Sequence, residues 1–158
     1  MLQRVQTIFL LLVVGTVIGM LFMPIWSEAS ADGGDTIALT AFKMTHTQAA
    51  PAATNNTQTF YIAILAILAT ATAAYSIFRY DNRLLQMKLG LINSLLLMTT
   101  LGTTLYFILT NEALVNPKAQ GDYLIGFFLL VFALLFNSMA NRFIKRDENL
   151  VRSVDRLR

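Results

Sequence analysis

Three features of the 158-residue sequence predict an all-α membrane protein, a four-transmembrane-helix bundle with a C-terminal cytoplasmic amphipathic helix. First, four apolar stretches, Ile8 to Met23, Phe60 to Phe78, Leu89 to Leu109 and Tyr123 to Met139, carry no charged residue. Each is 16 to 21 residues long, and a hydrocarbon core is crossed by about 20 residues of helix. Second, 56% of the chain is hydrophobic, only 13% is charged and the mean hydropathy is +0.59, which points to lipid rather than water as the solvent. Third, Lys and Arg gather on one side of the expected spans, the bias that sets orientation in a membrane.

The first span, residues 8–26, is the shortest apolar run; Pro24 closes it and Trp26 follows as an interface anchor. Ala29-Ser30-Ala31 after it resembles a signal-peptidase site. A lone Arg4 before a run that is long for a signal sequence makes a retained first helix the expectation. The loop 27–59 has two characters. Ile37 to Thr45 partly alternates apolar and polar residues, as a short strand or interfacial segment does. Gln48 to Thr59 is a run of small and polar residues that reads as a disordered tether. The second span covers 60–78 and the third 87–109; Asn116-Pro117 then marks a turn. In the fourth, 123–142, eleven of the thirteen residues from Leu124 to Phe136 are Leu, Ile, Val or Phe. Each contributes roughly 0.3 to 0.6 kcal/mol to insertion near the bilayer centre, so this segment needs no help from its neighbours. These spans make up a transmembrane domain, residues 1–143. Residues 144–158 form a basic tail helix, because Ile144, Leu150, Val151, Val154 and Leu157 recur at three- and four-residue intervals with Glu148 and Arg152 paired at i,i+4.

Ten basic and four acidic residues fall on the side of the two termini and the loop between spans two and three. Two basic residues, Lys43 and Lys118, and five acidic ones fall on the other. Both termini are therefore expected in the cytoplasm of a bacterial cell, with the chain in its inner membrane. The net charge of +3 comes from these cytoplasmic flanks, and no nucleic-acid partner is expected.

With no Cys and the single His46, thiolate metal sites, disulfides, Fe–S clusters and Cys nucleophiles are excluded. No span carries a central charge of the sort that proton relays and ion sites use. The loops offer neither a His-containing triad nor a Gly-rich phosphate cradle. No catalytic residue, cofactor or metal is expected, and the chain is not read as an enzyme. The candidate packing residues are Gly15 and Gly19, Ala66, Ala69 and Ala73, and Asn93 with Asn137. The glycines form a GxxxG pair whose ordinary role is packing within the bundle, a homo-oligomer contact being the alternative. The alanines form a small-residue face on the second span. The third span places Gly90, Asn93, Thr100, Thr103 and Thr104 broadly on one face. Asn93 and Asn137 lie at similar depth and are expected to hydrogen-bond across helices.

Three stretches carry a resemblance: MLQRVQTIFLLL at the start, NRLLQMKLGLIN opening the third span, and IKRDENLVRSVDRLR at the end. Together they resemble a family of small bacterial membrane proteins of four spans, a domain of unknown function found mainly in Bacteroidota. The matching positions are Gln3, Arg4, Gln6, Asn82, Arg83, Gln86, Asn93, Asp147, Glu148, Leu150, Val151, Arg152, Ser153, Asp155 and Arg156. The resemblance implies a four-span fold with a retained first helix and implies no activity. It draws attention to the cytoplasmic face, where Arg4, Arg83, Asp147, Glu148, Leu150, Val151, Arg152, Asp155 and Arg156 form a candidate interaction surface.

The expected function is that of a non-enzymatic accessory, scaffold or assembly subunit of a larger membrane complex, its partners being membrane lipids and other membrane-protein subunits. A small transporter or channel for a neutral solute, using the Asn and Thr groups of the last two spans, is the alternative. A lipid-sensing role through the basic tail is a third reading.

Overall fold

The structure, a computed structural model, describes residues 3–30, 34–48, 53–79, 82–111 and 121–155, with backbone alone for residues 3, 4 and 151–155. Four helices form: α1 (Gln3–Phe22), α2 (Phe60–Phe78), α3 (Arg83–Asn111) and α4 (Ile125–Asp155). All four are long and apolar enough to cross a membrane. They pack in a ring in which α1 and α3 each lie between α2 and α4.

The burial pattern explains the packing. Along α1 the buried positions are Gln6, Leu10, Val13, Val17 and Met20. Along α4 they are Gly126, Leu130, Ala133, Asn137, Ala140, Ile144 and Asp147. Alternating steps of four and three keep one seam turned inward, the spacing of coiled-coil-like helix packing. On α2 the inward face is Ile62, Ala63, Ala66, Ala69, Ala73 and Ser76, mostly small residues that let a neighbouring backbone come close. The outward faces carry large apolar side chains such as Ile8, Leu12, Ile64, Ile67, Leu91, Leu95, Met98, Phe128 and Leu135. Around a water-soluble domain so many exposed apolar residues would be a liability; against lipid tails they are in their own solvent.

The all-α expectation is corrected by an antiparallel sheet at the end of the bundle opposite the termini. Its strands are β1 (Trp26–Ala29), β2 (Thr36–Leu39), β3 (Lys43–Gln48), β4 (Ala53–Gln58) and β5 (Asp122–Tyr123), in the order β4-β3-β2-β1-β5. The disordered tether expected over 48–59 is corrected for its described part, because β4 pairs with β3 along its whole length, from Lys43 opposite Gln58 to Gln48 opposite Ala53; residues 49–52 lie outside the described residues. Almost all of β4 is exposed, so no alternation of apolar and polar residues marks it, and backbone pairing holds it instead. The alternation at Ile37 to Thr45 resolves into two strands and a turn. Thr40 makes that turn, its hydroxyl accepting from the Lys43 N–H at 3.2 Å and its own N–H donating to the Lys43 carbonyl at 2.9 Å.

The base of the sheet belongs to the same apolar core as the helices. Trp26, Ile37, Leu39 and Met44 are buried in one cluster with Val17, Met20, Ile62 and Ala63. Trp26, expected as an interface anchor, is fully buried instead. It fits because position 121 is glycine: a Cβ there would overlap the indole ring. β5 pairs with β1 and ties the connection between α3 and α4 to the segment that follows α1. Gly126 completes the junction, since a Cβ there would meet the Pro24 carbonyl oxygen at 2.6 Å. The Gly126 N–H donates to that same oxygen at 3.0 Å. The turn expected at Asn116-Pro117 lies outside the described residues.

Candidate interaction site: a polar layer and the terminal face

In the half of the bundle nearest the termini, polar side chains replace apolar ones in the seam. The Asn93 Nδ2 on α3 donates to Asn137 Oδ1 on α4 at 2.9 Å, and both residues are 1% exposed. The Asn137 Nδ2 donates to Ser94 Oγ at 2.8 Å and to the Gly90 carbonyl at 3.4 Å. One turn further on, the Asn141 Nδ2 donates to the same two acceptors, each at 3.2 Å. The Ser94 hydroxyl donates to the Gly90 carbonyl at 2.9 Å, which leaves its lone pairs for the two amides.

A second layer lies closer to the termini. The Gln6 Nε2 on α1 donates to Gln86 Oε1 on α3 at 3.3 Å, and the Gln86 Nε2 donates to the Ser76 carbonyl near the end of α2 at 2.9 Å. The helix-terminal carbonyl at Ser76 is thereby satisfied by a side chain. These two layers join all four helices: Gln6, Gln86 and Ser76 link α1, α3 and α2, and the asparagines link α3 to α4. Among the described residues, the Asn93 Oδ1, Asn141 Oδ1 and Ser76 Oγ atoms are buried without a hydrogen-bond partner.

The glycines divide by environment. A Cβ on Gly90 would collide with the Asn141 side-chain amide, and one on Gly19 would meet Leu129 Cδ1 at 3.2 Å. Gly15 has nothing within 4 Å and faces outward. Only one member of the GxxxG pair therefore packs inside the bundle. Ala66, Ala69 and Ala73 are buried in the core. On α3, Gly90, Asn93, Thr100 and Thr104 face inward and Thr103 is half-buried. The Thr100 and Thr104 hydroxyls return to carbonyls of their own helix at 2.8 Å.

At the terminal face, the Arg83 Nη1 donates to the Asp147 carbonyl at 3.0 Å, fixing the start of α3 against the last third of α4. Asn82 caps α3, its side-chain oxygen accepting from the Leu85 N–H at 3.0 Å. Asp147 is buried, Glu148 is half-buried and Leu150 is exposed. α4 passes unbroken through residues 143 and 144, so the expected tail begins as a continuation of the fourth helix, and Ile144 is part of its buried seam. The side chains of Arg4, Val151, Arg152, Asp155 and Arg156 lie outside the described residues.

Asn141 and Ser94 had not been singled out from the sequence, although a signal was present. Asn137 and Asn141 are one turn apart on α4, as Gly90 and Ser94 are on α3, so two i,i+4 pairs face each other. Gln6 and Gln86 had entered only through the family resemblance. Among the described residues no group of three His, Asp or Glu side chains is placed to hold a metal ion.

Fold and site together define a protein of four helices, each long and apolar enough to cross a membrane, with interhelical amide layers near one end and a small antiparallel sheet at the other. The chain belongs to the family described as a domain of unknown function, DUF4293, whose model matches residues 2–157. No curated protein matches it.

Proposed function

We propose that this is a non-enzymatic, four-span protein of the bacterial inner membrane, with both termini in the cytoplasm and the sheet outside. In this reading it serves as an accessory, scaffold or assembly subunit of a larger membrane complex. The observation that carries the reading is the length and continuity of α4. Its 31 residues span about 46 Å, well beyond a hydrocarbon core of about 30 Å. The excess emerges at the cation-rich end, beyond the point where Arg83 meets the Asp147 carbonyl, as a helical projection that runs past Leu150 to Asp155. An amphipathic helical projection of this kind is a docking surface for a partner subunit. The amides within the spans support a structural rather than a transport role, because Asn93 and Asn137 are engaged with each other.

Two experiments test this. The absence of cysteine allows single-Cys labelling with a membrane-impermeant maleimide: Thr57→Cys in β4 is expected to react from outside intact spheroplasts and Asn149→Cys only after lysis. The reverse pattern rejects the orientation. Purification in mild detergent of the full chain and of a chain ending at Leu150, which keeps the Arg83 contact to Asp147, tests the docking role. A stoichiometric partner lost on truncation supports it; a partner-free protein in both samples rejects it.

A further inference from the structure

α3 and α4 do not close completely on their outer side. Met87, Leu91 and Ser94 of α3 and Asn141 and Lys145 of α4 line a groove of about 350 Å³ beside the polar layer. Gly90 and Asn141 hold the helices together at its floor, where the Asn141 Nδ2 donates to the Gly90 carbonyl. The groove is chemically graded along the helix axis. Counting about 20 residues of helix from Ile125 brings the hydrocarbon boundary close to Ile144. Lys145 then lies at the headgroup level, with Asn141 and Leu91 just beneath it and Ser94 deeper. Leu95 and Met98, both exposed on α3, continue an apolar track towards the bilayer centre.

We propose that this groove binds an anionic phospholipid, its phosphate against the Lys145 ammonium and one acyl chain along Leu91 and the track beyond. The proposal rests on the membrane reading and orientation given above. Charge and polarity select the occupant. A free phosphate ester would have no use for the Met87 and Leu91 walls, and a neutral apolar solute would gain nothing from Lys145. An anionic amphiphile matches both, and the cytoplasmic leaflet is where such lipids are found at the depth of Lys145. The groove thereby places a lipid against the α3–α4 contact, next to the projecting end of α4.

The test uses the purified full chain in dodecyl maltoside, with native mass spectrometry reading retained lipid after addition of phosphatidylglycerol or phosphatidylcholine of matched chains. One phosphatidylglycerol per chain is expected to be retained, in preference to phosphatidylcholine by about fivefold, the factor that one cation near an anionic headgroup supplies. Lys145→Gln, a change at an exposed side chain, is expected to abolish the preference. Arg146→Gln, on the same turn but outside the groove lining, is expected to leave it intact. Leu91→Trp is expected to fill the groove and reduce retention of both lipids. Equal retention of the two lipids by the unaltered chain, or equal loss in the Lys145 and Arg146 variants, overturns the proposal. Displacement of the lipid by soluble glycerol 3-phosphate overturns it in favour of a free phosphate ester. Extraction of the chain from membranes by alkaline carbonate would reject the membrane reading itself, whereas a carbonate-resistant chain without lipid preference rejects only the groove.

Discussion

Asn137 makes three hydrogen bonds in the polar layer, accepting from Asn93 and donating to Ser94 and to the Gly90 carbonyl. Asn93 makes one of those bonds. Interhelical hydrogen bonds of this kind contribute roughly 0.6 to 2 kcal/mol each, so Asn137→Leu is expected to destabilise the fold more than Asn93→Leu. The double substitution should cost less than the sum of the two, because each single change leaves the Asn93 Nδ2 or the Asn137 Oδ1 without its partner in the bond they share. Unfolding in mixed micelles measures all three, and strictly additive values would show that the amides act independently. The glycines give a second contrast. Gly90→Ala drives a methyl into the Asn141 amide and is expected to cost about 1 to 3 kcal/mol. Gly15→Ala, with open space around it, should stay within about 0.5 kcal/mol of the unaltered chain. A large loss at Gly15 would reveal a contact with another chain on that face of α1.

Among the elements, β4 and α4 depart most from what the sequence leads one to expect. Each owes its form to contacts with another segment. β4 carries no apolar pattern, yet it is paired residue for residue with β3, and β3 is anchored through Met44 in the core. Exposed substitutions such as Asn56→Asp should therefore be tolerated. Trp26→Ala, by contrast, removes a fully buried ring from the junction of sheet and helices and is expected to cost about 3 to 5 kcal/mol. Hydrogen exchange checks the consequence: after the Trp26 change, strand amides should lose protection ahead of those in α3 and α4. For α4 the seam is the test. Inserting one alanine between Asn141 and Arg142 turns Ile144 and Asp147 out of the bundle by about 100°. The insertion is expected to release the start of α3 and to expose Arg83 to arginine-modifying reagents, while the helices nearer the sheet keep their stability.

At the scale of the whole molecule, the polar layers and the sheet sit at opposite ends of one bundle and stabilise it by different means. Hydrogen bonds in the terminal half are shielded from water and strengthened by it. At the other end apolar burial of Trp26, Ile37, Leu39 and Met44 joins sheet to helices. In a lipid environment, which offers little hydrophobic incentive for helices to associate, the amide layers would supply a specific, directional reason for α3 to meet α4 in one register. α3 and α4 are imperfectly closed on their outer side, where the groove lies. Removal of lipid during purification is accordingly expected to lower the thermal midpoint of the full chain. Added phosphatidylglycerol should restore it more effectively than phosphatidylcholine.

Much of this was legible in the amino-acid order. The four helices were, because an uncharged, predominantly apolar run of about 20 residues satisfies all its backbone groups within its own segment, as lipid demands, only as a helix. The pairing of Asn93 with Asn137 was also anticipated, since two amides at similar depth in apolar spans have few other partners. β4, the burial of Trp26 beneath a glycine at position 121, and the Asn141–Ser94–Gly90 contacts were not. A strand's hydrogen bonds are made to another segment, and a ring's burial depends on the space another loop leaves. Such features reside in the relation between segments, and only the folded chain decides them.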